Sequence, residues 1–168
     1  MTLDQQAVPP TASLENSTFM KQLEQDRAVF IGAKYSVYYQ QQFAEITPKK
    51  PYAGFNVGAF FFGVIWLFYR KMYLYAVMAM ALMIVIGVVE TYLEVEGFGS
   101  MIALSIAFGV FGNGLYKHHV DKKIAKIRQF GHGDVTATLQ NAGGTNWVAA
   151  LIPLLLVVGI TGLAIMAA

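Results

Sequence analysis

Cysteine is absent from the 168 residues, which excludes disulfides, thiolate catalysis, Cys-based zinc sites and iron–sulfur ligation together. Charge is scarce too. Asp, Glu, Lys and Arg make up 13% of the chain, where an average soluble domain carries about 25%. With 12 Lys+Arg against 10 Asp+Glu the net charge is only +2, so total charge selects no partner. The N-terminus lacks the basic and apolar regions of a secretory signal. In place of charge the chain has apolar residues, 56% of the total with 16 Gly besides, and a mean hydropathy of +0.49. The length suits one domain, and the composition predicts a membrane protein.

Three charge-free runs carry that expectation: Met72–Val89 with 18 residues, Gly97–Tyr116 with 20 and Trp147–Ala168 with 22. A spanning helix needs about 20 residues, within a range of about 17 to 25. None of the three holds an Asp, Glu, Lys, Arg or His, which argues against a proton-coupled carrier. The run Phe55–Tyr69 is different: 15 residues give about 22 Å of helix against a hydrocarbon core of about 30 Å. Arg70-Lys71 follows at once, and each costs about 2.5–3.5 kcal/mol at mid-bilayer, so both belong at an interface. A short interfacial or re-entrant Phe-rich helix is the expectation for 55–69.

The remaining segments are cytoplasmic in this reading. Residues 1–16 are polar and aperiodic and read as a disordered tail; Ser17 reads as the cap of a helix reaching about Phe30, broken by Gly32. Tyr35, Tyr39, Phe43 and Ile46 then fall on one helical face, ready to dock on the membrane surface or on neighbouring helices, within an aromatic region 17–52. The core would cover 53–130 and end in a basic helix, 117–130, followed by a loop at 131–146 and the last span at 147–168. All 12 Lys and Arg lie on one side if the N-terminal region and 117–146 are cytoplasmic and the acidic 90–96 turn and the C-terminus face outward. The fold class expected is therefore all-α, a polytopic membrane protein with three transmembrane helices.

Three motifs occur in order: FIGAKYSVYYQQQF (Phe30–Phe43), FNVGAFFFGVIWLFYRKMYLYA (Phe55–Ala76) and GNGLYKHHVDKKIAKI (Gly112–Ile127). Together they resemble a bacterial integral-membrane family, domain-of-unknown-function family 2628, over about residues 27–130. Gly58 stands where the family often has Trp, and Val64 where Pro is frequent. The resemblance implies a small inner-membrane protein and implies no activity.

Candidate sites are few. His118 and Asp121, i,i+3 on one face, supply at most two metal ligands, with His132 at no supporting spacing. No metal or other cofactor is expected. Val120, Ile124 and Ile127 alternate with Lys122, Lys123, Lys126 and Arg128, which suits a helix on the anionic leaflet better than one on nucleic acid. Arg70 and Lys71 read as topological anchors or lipid head-group ligands. Ser105, Gly109 and Asn113, with Gly112 alongside, and later Gly159 and Gly162, form small-residue faces where helices approach closely. With no nucleophile–base or metal constellation, an enzyme is not expected. The expected role is an accessory, assembly or scaffolding subunit of a larger membrane complex; a small oligomeric transporter or channel is the alternative.

Overall fold

The computed structural model describes residues 10–95, 97–131 and 133–167. The chain is all-α: α1 (Pro10–Ile31), a π-helical turn (Tyr35–Tyr39), α2 (Gln40–Glu45), α3 (Val57–Tyr69), α4 (Tyr73–Leu93), α5 (Phe98–Phe130), α6 (Val135–Ala142) and α7 (Trp147–Ala167). Helices α4 and α5 are long and apolar enough to cross a membrane.

Helix α1 starts earlier than Ser17. It already includes Pro10, the first of the described residues. Ser17 is not a cap: its hydroxyl donates to the Leu14 carbonyl one turn back, 2.8 Å away. Residues 1–9 of the expected tail lie outside the described residues. Gly32, at φ +79°, ends α1 as expected.

Helix α5 joins the expected span and the basic helix into one rod of 33 residues, about 50 Å long. Only about 20 of its residues fit a hydrocarbon core. The charge-free part ends at Tyr116, so Lys117–Phe130 projects beyond any such core. Around that projection sits the main core. Phe30, Tyr35, Tyr39 and Phe43 pack against Tyr116, Val120 and Ile124, and Leu139 of α6 closes the cluster. The Tyr35/Tyr39/Phe43 face thus docks on neighbouring helices, with Tyr39 and Tyr116 rings 4.9 Å apart. Val120 and Ile124 are buried here, so the basic helix cannot lay its apolar face on a membrane surface.

Above this head α3 is the hub on which α4, α5 and α7 all pack. Among the described residues the backbones of α4 and α5 rarely come close, although a short turn joins the two helices. Asn56 caps α3 by accepting from Ala59 N–H at 2.9 Å; Asp134 caps α6, accepting from Thr136 and Ala137; Asn146 accepts from Ala149 N–H at the start of α7.

Candidate functional site

The Phe-rich helix doubles back on itself. Gly63 sits at φ 44°, ψ −114° inside α3, a conformation open only to glycine. A straight helix from Asn56 to Arg70 would separate its ends by about 21 Å. Instead both ends meet α5 within about one turn. Asn56 bonds Asn113 at 2.9 Å, while the Arg70 guanidinium lies 5.0 Å from the Tyr116 ring. The bend points along α5 toward Phe108, whose ring is 3.5 Å from where a Gly63 Cβ would stand. The returning arm brings Trp66 onto Gly58, where an added Cβ would be 3.2 Å from the indole. Phe61 and Phe62 are left exposed beside the bend.

A closed polar network holds the mouth of this hairpin. Asn113 is fully buried at 0% exposure. Its Oδ1 accepts from Asn56 Nδ2, and its own Nδ2 donates to Tyr38 Oη and to the Ala53 carbonyl, each at 2.9 Å. Asn56 N–H donates to the Gly109 carbonyl at 2.8 Å. Every amide group is thereby used, which buried amides require. Gly109 and Gly112 make the approach possible. A Cβ on Gly112 would stand 2.9 Å from Ala59 Cβ, and one on Gly109 would stand inside contact distance of the Phe55 ring. The Gly109/Gly112/Asn113 face is therefore filled by the chain's own α3, and Ser105 is half-buried further along it.

Arg70 departs from its expected place. Only 6% exposed, its guanidinium lies 5.0 Å from the Tyr39 and Tyr116 rings and 5.5 Å from Tyr69, and Nη2 donates to Tyr39 Oη at 2.9 Å. Nε and Nη1 have no partner. Ring quadrupoles take the place of a carboxylate, at about 2 kcal/mol for a desolvated cation–π contact. A group so enclosed does not anchor at a surface or hold a lipid head group. The chain turns inward here because the hairpin returns Arg70 beneath the aromatic face of the head. Lys71, at φ 57°, donates to the Asn141 carbonyl at 3.0 Å and so ties the turn to α6.

Two ion pairs clamp α1 to the projecting end of α5. Arg27, buried, donates through Nε and Nη2 to both Asp121 oxygens at 2.7 Å, and Lys117 Nζ reaches the same carboxylate at 2.8 Å. Burial alone would raise Asp121, but hydrogen bonds from Arg27 and Lys117 outweigh it and hold the carboxyl below its ordinary value. Arg128 forks onto Asp26, with Nε 2.7 Å from Oδ2. Beside the clamp His119 is enclosed edge-on by the Phe30 and Tyr75 rings. Burial, helped by Lys123 and His118, lowers it to about 4.

Of the expected basic surface, Lys122, Lys123 and Lys126 are exposed, whereas Arg128 is engaged by Asp26. His118 and Asp121 face different tasks, since Asp121 is committed to two cations; His132 lies outside the described residues. No group of three metal-ligating side chains occurs among the described residues. Gly159 and Gly162 face open space on α7, which packs on α3 through its N-terminal half, where Ala149, Ala150 and Pro153 are buried. The sequence reading missed Asn56, Tyr38, Asp26 and Arg27. Only Asn56 carried a local signal, an Asn directly before an apolar helical run.

The chain is a small all-α protein with two apolar helices long enough to cross a membrane, a folded-back apolar hairpin and a clamped helical head. The family profile described as "Protein of unknown function (DUF2628)" matches residues 16–122, and the chain belongs to that family. The match takes in the Arg27–Asp121 half of the clamp, the hairpin, α4 and most of α5, and leaves Arg128, α6 and α7 outside. No curated protein and no solved structure matches the chain.

Proposed function

We propose that the chain is a three-span, non-catalytic subunit of a bacterial inner membrane, serving the assembly or scaffolding of a larger complex. In this reading α4, residues 97–116 of α5 and α7 cross the bilayer, and α3 is re-entrant. The N-terminal head and residues 117–146 are cytoplasmic, and the C-terminus is periplasmic. The hairpin supports this topology. A segment that returns to its starting level leaves the five basic residues before it on the same side as the seven after it. Its depth also fits: the bend at Phe108 lies five residues from Asn113, about 7.5 Å along α5.

The observation that carries the subunit role is the bareness of α4. Ala76 is the one buried residue of its 21, and its backbone makes few close approaches to that of α5, the partner its short connection would supply. A span with so few contacts of its own leaves both flanks open to the helices of another protein. Gly159 and Gly162 on the open side of α7 offer close approach for the same purpose. Affinity purification from native membranes in mild detergent, with mass spectrometry, tests this. Unrelated membrane proteins should co-purify at fixed stoichiometry; a homo-oligomer alone would favour the transporter or channel instead.

A further inference from the structure

We propose that the cleft between the 46–51 turn and α5 is a discrete site for one anionic glycerophospholipid, which goes beyond a diffuse attraction of the head for the bilayer and rests on the membrane reading above. The cleft has a volume of about 440 Å³, within the roughly 300–1,000 Å³ of small-molecule sites. One wall is α5, bearing Lys117, His118 and Lys122; the other is Ile46, Pro48 and Pro51.

Charge and depth both select the ligand. Asp121 also lines the cleft, but Lys117 and the buried Arg27, which meets Glu24 as well, neutralise it, and exposed Lys122 supplies the net positive charge. The Thr47–Lys50 turn is closed by its own two backbone hydrogen bonds, so it stands as a rigid lip. The α5 wall begins at Gly114, whose missing Cβ lets the Pro51 carbonyl lie against the helix. From Lys117, where the charge-free run ends, to Lys122 is about 7.5 Å along the axis. The head-group zone of one leaflet is about 5–7 Å deep. One helical turn nearer the apolar part, Tyr52 and Phe111 stack edge-to-face at 6.1 Å, both half exposed. Basic side chains therefore line the cleft at phosphate depth, and an aromatic pair flanks its apolar end where acyl chains begin. A soluble anion would use only the lower half. The amphipathic layout favours a phospholipid phosphate with its chains drawn over Tyr52 and Phe111.

The full chain, purified in neutral detergent, is titrated with short-chain phosphatidylglycerol, with phosphatidylcholine or with inorganic phosphate. Retained adducts are read by native mass spectrometry. Phosphatidylglycerol should be retained in preference to phosphatidylcholine, and Lys122→Gln should reduce that preference about fivefold. Lys126→Gln, an equal loss of charge from an exposed residue outside the cleft, should change it less than about twofold. Equal losses in the two variants would mean a diffuse field and overturn the site. Displacement of the lipid by millimolar inorganic phosphate would reassign the cleft to a soluble anion and overturn it equally. The membrane reading is checked separately by alkaline carbonate washing of native membranes. A chain that stays in the pellet while Lys122→Gln loses nothing refutes the site alone; a chain that is released refutes both.

Discussion

Replacing Gly109 by Leu drives a wedge into the contact on which the hairpin depends. A Cβ there would already stand inside contact distance of the Phe55 ring and 3.1 Å from Phe60 Cβ. Phe55 is 45% exposed, so its ring can swing outward, and Gly109→Ala should cost less than about 1 kcal/mol. Leu has no such escape. Its branch points at Phe60, the first arm of the hairpin must move away, and overpacking of this kind costs about 1–3 kcal/mol. The same displacement stretches the 2.8 Å bond from Asn56 N–H to the Gly109 carbonyl, for about 1 kcal/mol more. The sum is about 2–4 kcal/mol. Leu104, half-buried and off this face, should cost about 1 kcal/mol or less on truncation to Ala. The assay is recovery of monodisperse protein after mild detergent extraction, with the thermal midpoint followed by fluorescence of the two Trp residues. The expected order of stability is wild type, then Gly109→Ala and Leu104→Ala close together, then Gly109→Leu well below them. Equal recovery of Gly109→Leu and wild type would mean that lipid, and not α3, lies against this face, and the hairpin geometry would fall with it.

A Cys at Thr91, exposed at the end of α4, should react with an impermeant maleimide in spheroplasts, while one at exposed Ala137 on α6 should not; labelling of both from outside would refute the topology. Arg70→Met keeps the unbranched stem and removes an enclosed charge that has no carboxylate partner among the described residues, so stability should stay within about 1 kcal/mol or rise. A loss above about 2 kcal/mol would show that the tyrosine rings more than repay desolvation. The pH dependence of the head follows from two groups. His119 is neutral in the fold and titrates near 4, so the unfolded chain takes up its proton first and stability falls as pH drops from about 6.5 toward 4. Asp121 contributes stability above its ordinary value of 3.8, lost as pH falls through its lower folded value. His119→Gln should flatten the first limb of the melting profile and leave the second; an unchanged slope between pH 6.5 and 4 would sink that assignment.

Much of the architecture was legible from single residues and short spacings. The i,i+4 run Tyr35, Tyr39, Phe43 named a buried face, and the structure buries all three. Length against bilayer thickness separated 55–69 from its longer neighbours. The Gly109/Gly112/Asn113 face was read as a packing surface, and it is one. Other residues were illegible for a definable reason. Arg27 and Asp121 are separated by 94 positions, and Asp26 and Arg128 by 102. A charge on an amphipathic pattern looks the same whether it faces solvent or a partner supplied by a distant helix. Arg70 misled in the same way, because its proximity to Lys71 and an apolar run describes an interface until the aromatic groups that enclose it are known.

The sequence by itself determined which segments are apolar and which carry charge. Apolar runs free of charge, and basic residues gathered away from an acidic turn, are additive properties of side-chain solvation that need no tertiary partner to be read. Tertiary structure decided direction and occupancy. Gly63 permits many conformations, and its reversal of α3 is selected only because Asn56 and Trp66 can then both meet α5. Likewise the apolar side of residues 117–130 suits a bilayer surface or a protein core equally well. It went to the core because α1 and α6 cover it, with the largely buried Arg27–Asp121 pair and the more exposed Arg128–Asp26 pair fixing the register. Hydrophobic burial is non-directional and says that a face will be covered; the close fit of glycine, amide and fork-shaped guanidinium determines by what.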